Sequence, residues 1–184
     1  MTDAPLAVAL ANAQAARRPA YSRTGVQRDE LADAASASEL LEPLLGVPVP
    51  ARDLAAVRAA QRAIVAIVDA ITDGRDPPLE ELNGLAAREP ALLTLEPDAD
   101  GRMHTVLRPT RASAAAALLV AVIGELGELD PSRLRRCARP ECTLVFYDTT
   151  RSGTQRWHAD NPCGRQQRQQ RHRLKSAPAG EPSL

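Results

Sequence analysis

Apolar residues recur along most of this chain at helical spacing, and the places where the spacing breaks mark its turns. Leu54, Val57, Ile64, Val68 and Ile71 fall at steps of three, four and seven and predict a central helix over Ala51 to Thr72, with Gly74 as its stop. Leu31, Leu40, Leu41, Leu44 and Leu45 give a second helical stretch from Asp29 to about Leu45, interrupted by Pro43 and closed by Gly46-Val47-Pro48. A shorter helix is expected from Pro78 through Leu79, Leu82 and Leu85 to Arg88. Leu92 to Leu95 and Met103 to Leu107 flank the polar run Asp98-Ala99-Asp100-Gly101 and predict a β-hairpin. Thr110 is the expected cap of a long Ala-rich helix carrying Ala112, Ala115, Leu119, Val122, Ile123 and Leu126 on one side. Asp130-Pro131 then restarts a helical turn, Ser132 to Arg136. Leu6 to Leu10 is apolar throughout, so periodicity leaves it open between an edge strand and a helix start.

Composition narrows the picture. Of the 184 residues, 44% are hydrophobic but only 2% aromatic, so the main core must be built from Ala, Leu, Val and Ile. The longest uncharged apolar run, Ala112 to Gly124, falls short of the roughly 18 residues of a membrane span. Pro5 to Ala16 has Ala-x-Ala steps, but Asp3 precedes it and Arg17 and Arg18 follow it, the reverse of a secretory leader. A cytoplasmic protein that does not enter the membrane is the expectation. Net charge is zero, yet residues 1–130 hold 12 basic and 19 acidic side chains, whereas residues 131–175 hold 11 basic and 3 acidic. Such segregation means that the basic part meets either a polyanion or the acidic part of its own molecule.

The candidate chemistry lies in that basic part. All three cysteines occur there, in the spacing Cys137-x4-Cys142-x15-His158-x4-Cys163. Two close pairs joined by a loop is how a chain surrounds a tetrahedral ion, and three thiolates with one imidazole fill every position. The expectation is one structural Zn2+, since a catalytic zinc keeps a position open for water. Metal binding can add on the order of 10–16 kcal/mol to a segment this short. Phe146 and Trp157, between the ligand pairs, are the expected small core of the finger. Asp148 either pairs with Arg151 or acts as a turn residue.

Arg133 to Cys142, Phe146 to Arg151, Arg156-Trp157-His158 and Cys163-Gly164, followed by a basic helix, resemble the CGNR zinc-finger family. More weakly, Leu6 to Asn12, the helix after Pro50, Leu82-Asn83 and the hairpin resemble the companion ABATE domain, whose family is described as stress-induced transcription regulators. The resemblance implies an α+β, mainly helical fold. It comprises an N-terminal helical domain with a small antiparallel hairpin over residues 1–130 and a treble-clef-like zinc finger ending in a basic helix over 131–175. Residues 176–184 are expected to be a disordered tail. His158 stands where the family has a cysteine, and Arg165-Gln166 replaces the Asn-Arg of the namesake motif. The implied function is a DNA-binding transcription regulator whose N-terminal domain senses a small-molecule effector or forms a homodimer. The alternative is a zinc-stapled protein-interaction module.

Arg151, Arg156, Arg165, Arg168, Arg171, Arg173 and Lys175 are the candidate contacts to double-stranded DNA, because the arginine fork fits phosphate and base edges. Enzymatic chemistry is not expected: there is no Gly-rich phosphate loop and no His-Glu-x-x-His, and His104 reads as a strand residue. Asn12 and Asn83 match positions of the resembled N-terminal domain and either line a pocket or bond to backbone.

Overall fold

A computed structural model describes residues 4–14 and 29–176. The leader-like run beyond Gln14 and the tail beyond Ser176 lie outside the described residues. The described chain is mainly helical, with two two-stranded antiparallel sheets. No described helix is long and apolar enough to cross a membrane.

Helix α1 spans Leu6–Asn12, so the ambiguous apolar run is helical. The deciding partner is Glu125, whose carboxylate accepts the amides of Leu6 at 2.6 Å and Ala7 at 2.8 Å. These are two of the donors that a helix start leaves without internal acceptors. Helix α2, Ala34–Leu45, starts later than Asp29 because Asp33 is the cap and accepts the Ser36 amide at 2.8 Å. Pro43 lies inside its last turn, and Gly46, at φ 69°, ends it. Helix α3 occupies Ala51–Thr72 as predicted, burying Val57, Ala60, Ile64, Ile67 and Val68, with Leu54 and Ile71 half-buried at its ends. Helix α4 is only Glu80–Ala86, shorter than Pro78 to Arg88, and buries only Leu82.

Strands β1, Ala91–Pro97, and β2, Met103–Pro109, form the predicted hairpin in the register Leu93 opposite Leu107. Thr110 does not cap the next helix. Its hydroxyl and amide both donate to the Pro90 carbonyl, at 2.9 and 3.1 Å, and so close the base of the hairpin. Helix α5, Ala114–Glu128, is capped instead by Ser113, while Asp53 of α3 accepts the Ala114 amide at 2.8 Å. The turn expected through Arg136 ends at Arg133, and Leu134–Arg136 is strand β3, paired with β4 at Val145–Tyr147. The pairing partner, invisible to local periodicity, overrides the helical signal. Helix α6 is Arg165–Ser176.

Helices α1, α3 and α5 meet around Leu10, Ile64, Ile67, Leu118 and Val122, and α2 adds Leu41. The β3–β4 hairpin is part of this same core. Leu134 and Val145 are buried within it, and Tyr147 packs on it. Asn12 fixes the join: its side-chain amide donates to the Val145 carbonyl at 2.9 Å, and its carbonyl accepts the Val145 amide at 3.0 Å. The carboxamide thereby does for the outer edge of β4 what a neighbouring strand would do. Backbone bonding is thus the role of Asn12, whereas Asn83 is exposed on α4. A second join is ionic, with Arg136 reaching Asp69 at 2.7 Å and Asp73 at 2.9 Å on α3. That guanidinium, aided by Arg75, holds the Asp73 carboxyl below its usual range.

Asn12→Leu leaves both Val145 groups without protein partners and is expected to lower stability by about 1–3 kcal/mol. Chemical denaturation checks this: the midpoint should fall at constant slope.

Candidate metal centre

Strand β3 delivers Cys137 at its end, and the chain reverses at once. The Cys137 amide donates to the Leu144 carbonyl at 3.0 Å, and the Cys142 amide to the Arg139 carbonyl at 2.9 Å. The first ligand pair therefore sits on a closed turn. The Ala138 amide donates to the Arg156 carbonyl at 2.8 Å, which brings the second half of the finger alongside.

Asp148 organises the intervening loop. It is completely buried. One carboxylate oxygen accepts the Thr150 hydroxyl at 2.5 Å and amide at 3.0 Å, and the other accepts the Gln155 amide at 2.8 Å. These bonds, led by the Thr150 hydroxyl, hold its carboxyl below the usual carboxylate range. Its charged neighbour is Arg135, at 3.9 Å, so Asp148 is the turn residue of the two alternatives and Arg151 stands exposed. Arg133 donates to the carbonyls of Asp148 and Thr150, and Arg135 to that of Gly153. Two of the finger's arginines thus hold its own loop.

The loop ends by placing His158 against the cysteines, its Nδ1 lying 3.4 Å from Cys142 Sγ and 3.7 Å from Cys163 Sγ. One ligand atom from each of Cys137, Cys142, His158 and Cys163 falls within 4.8 Å of the others. A tetrahedral zinc with Zn–S near 2.3 Å and Zn–N near 2.0 Å separates its ligand atoms by roughly 3.5–3.8 Å, so the four residues fit the ion with small adjustments. The spacing-derived set is brought together in full. Cys137 and Cys142 are 6% exposed and Cys163 is 0% exposed, with Leu144 and Trp157 packed on them. Burial pushes the Cys137 thiol up to about 12, so an incoming cation must displace its proton. None of the three cysteines is in a disulfide. Phe146 is buried and Trp157 half-buried, with the Arg156 guanidinium 5.7 Å above the indole ring.

Gly164 links the last ligand to α6. A Cβ there would meet Asp160 Oδ1 at 2.7 Å, and Arg168 Nη1 and the Trp157 ring at 3.2 Å each. A side chain there would have to push aside the Asp160 carboxylate and crowd the Trp157 ring, so glycine suits a helix that starts this close to the centre. Arg168 grips Asp160 with both guanidinium nitrogens, at 2.7 and 2.9 Å, and depresses its pKa. The candidate nucleic-acid residues therefore divide. Arg168 has an acidic partner within the finger, while Arg151, Arg156, Arg165 and Arg173 are exposed and have none among the described residues. Arg171 and Lys175 lie on α6. Sequence reasoning missed the structural duty of Arg133, Arg135 and Arg136; only the charge segregation pointed that way.

A family model described as "Putative stress-induced transcription regulator", the ABATE domain, matches residues 4–129. The chain belongs to the ABATE family. A second model, the CGNR zinc finger, matches residues 133–176, so all four gathered ligands of this ABATE protein lie within it. Comparison with curated proteins finds no match. Together the zinc-finger match and the Cys3His cluster assign metal binding to the C-terminal part of the chain.

His158→Ala should weaken metal affinity by more than the roughly 10–100-fold that loss of a supporting hydrogen bond costs, while His158→Cys retains the metal. Competition with a chromophoric chelator measures both. Because the thiols must lose protons to bind, affinity should also fall as pH is lowered, with protons released on metal uptake.

Proposed function

We propose that this ABATE protein is a DNA-binding transcription regulator. It would hold one structural Zn2+ per chain at Cys137, Cys142, His158 and Cys163. Its finger loop and α6 would contact duplex DNA, and its N-terminal domain would respond to a small-molecule effector or join two copies. The observation that carries this reading is the distribution of arginines. Those facing the N-terminal domain or the finger's own loop hold hydrogen-bond partners within the molecule, whereas Arg151, Arg156, Arg165 and Arg173 are exposed without an acidic partner among the described residues. The finger is thereby left with unmatched positive charge, and α6 contains no acidic residue.

The bound ion supplies structure, closing a fold that has few apolar residues of its own. The protein's side chains do the rest. Gly164 lets α6 begin against Trp157, and the Asp160–Arg168 pair clamps its first turn, so the arginine forks are carried on a fixed helix. An arginine fork matches two phosphate oxygens at once, and arginine or glutamine can also read base edges in the major groove. Gln166, Gln169 and Gln170 lie exposed beside the arginines.

Binding to duplex DNA should weaken steeply with salt. Arg165→Ala and Arg173→Ala should each flatten the log–log salt slope by about 0.9 for every phosphate that the side chain neutralises. Arg136→Ala, whose side chain is engaged with α3, should leave the slope unchanged. Fluorescence anisotropy with the zinc-loaded protein measures this, and absence of binding at low salt would refute the proposal.

A further inference from the structure

The β1–β2 hairpin is amphipathic the wrong way round. Side chains alternate across a strand, so Leu93, Leu95, Met103 and Leu107 share one face with Thr105, while Thr94, Glu96, Val106 and Arg108 share the other with His104 and one exposed leucine, Leu92. Along the middle of the hairpin the half-buried positions, Thr94, Glu96 and Val106, lie on the second face, while Ala91 and Pro109 are half-buried at the base of the first, and it is β2 that packs against α5. The first face is left in solvent, with Leu93 68%, Leu95 62%, Met103 59% and Leu107 45% exposed. A two-stranded sheet also leaves one edge of each strand unpaired. Such a feature promotes aggregation unless something covers it, and proteins ordinarily guard exposed edges with charge. Here the first face carries no charge between the two ends of the hairpin, the Glu96–Arg108 ion pair lying on the second.

We propose that this face is the two-fold interface of a homodimer, in which the hairpin of one copy packs against the hairpin of the other. Charge selects both the occupant and the arrangement. The tip of the hairpin carries Asp98 and Asp100 against Arg102, a net negative end. The base carries Arg88 beside the Arg111–Glu89 ion pair, a net positive end. A two-fold axis along the strands would set acidic tip against acidic tip. A two-fold axis across them sets each tip beside the partner's base, bringing Asp100 towards Arg88 of the second copy, while the apolar face of each copy covers that of the other with its strand ends reversed. The patch is thus complementary to itself, as an isologous contact requires. Its four apolar residues expose the equivalent of more than two whole leucines on each copy, roughly half of the ~800 Å2 per partner of a stable interface. The strand edges and charged ends supply the rim.

This inference deepens the regulator proposal, and in that respect rests on it, because a dimer would present two basic helices to two half-sites of a duplex. It is tested without DNA. Sedimentation equilibrium of the full-length, zinc-loaded chain should show a dimer at micromolar concentration. Leu93→Lys combined with Leu107→Asp replaces two of the four apolar residues with a cross-strand ion pair that preserves the hairpin. It should raise the dimer dissociation constant by at least tenfold, with zinc content and circular dichroism unchanged. Asp100→Arg and Arg88→Asp should each weaken the dimer, and the two together should restore it. A wild-type chain that is monomeric at about 100 µM, far above the micromolar affinities of ordinary specific association, would overturn the inference. A dimer that the Lys/Asp pair leaves intact would do the same, and so would a dissociation constant indifferent to charge reversal. Recovery of only a different protein on this face, with no self-association, would also refute it. Failure of DNA binding with the dimer intact would sink the regulator reading alone.

Discussion

The arrangement of residues 137–176 depends on four ligand atoms having to share one coordination sphere. His158 can reach Cys142 and Cys163 only if the chain between residues 143 and 157 folds back, and that return is built from hydrogen bonds to a single buried carboxylate, Asp148. Once Cys163 is in place, Gly164 passes within a Cβ's reach of Asp160 and Trp157, and α6 starts directly against them. The constraint also works in the other direction. The turn holding Cys137 and Cys142 grows out of β3 and β4, and that hairpin is seated in the helical core through Leu134 and Val145. The metal centre is therefore positioned relative to α1 and α3 by packing, by Asn12 and by Arg136, as well as by chain connectivity.

Arginine performs two separable tasks in this molecule. Arg133 and Arg135 donate to loop carbonyls, Arg136 to two aspartates of α3, and Arg168 to Asp160. Each such bond is charge-assisted and geometrically specific, which is why a planar fork suits these places better than an ammonium group. The remaining exposed arginines carry no such duty, and they give the finger its unmatched positive charge.

Strong periodicity made parts of the fold legible in the sequence. Over Ala51–Thr72 the apolar stripe is long and the stop signal clear, and the β1–β2 hairpin has its polar turn between two short apolar runs. Where the answer depended on a distant partner, local pattern failed. Thr110 and Ser113 are both good capping residues, and the choice was made by the Pro90 carbonyl and by Asp53, 61 residues from the amide it accepts. Leu6–Asn12 became a helix with the help of Glu125, and Leu134–Arg136 became a strand because Val145–Tyr147 lies beside it. The ligand spacing was enough to single out the four residues that come together at the metal centre. It could not say that Asp148 would bond to Thr150 and Gln155 rather than to Arg151, since all lie within a few residues of it. Nor could charge counts sort satisfied arginines from free ones.

The two family matches meet between residues 129 and 133, but the packing does not divide there. Val145, well inside the finger, is hydrogen-bonded by Asn12, and Arg136 is held by Asp69 and Asp73. Recombination that exchanged one finger for another at this seam would transplant the ligands and leave their anchors behind. A graft would keep its bearings only if the incoming β3 and β4 satisfied the same carboxamide and the same two carboxylates. The pair of modules is thus inherited most safely as a unit, with the seam in the chain displaced from the seam in the contacts.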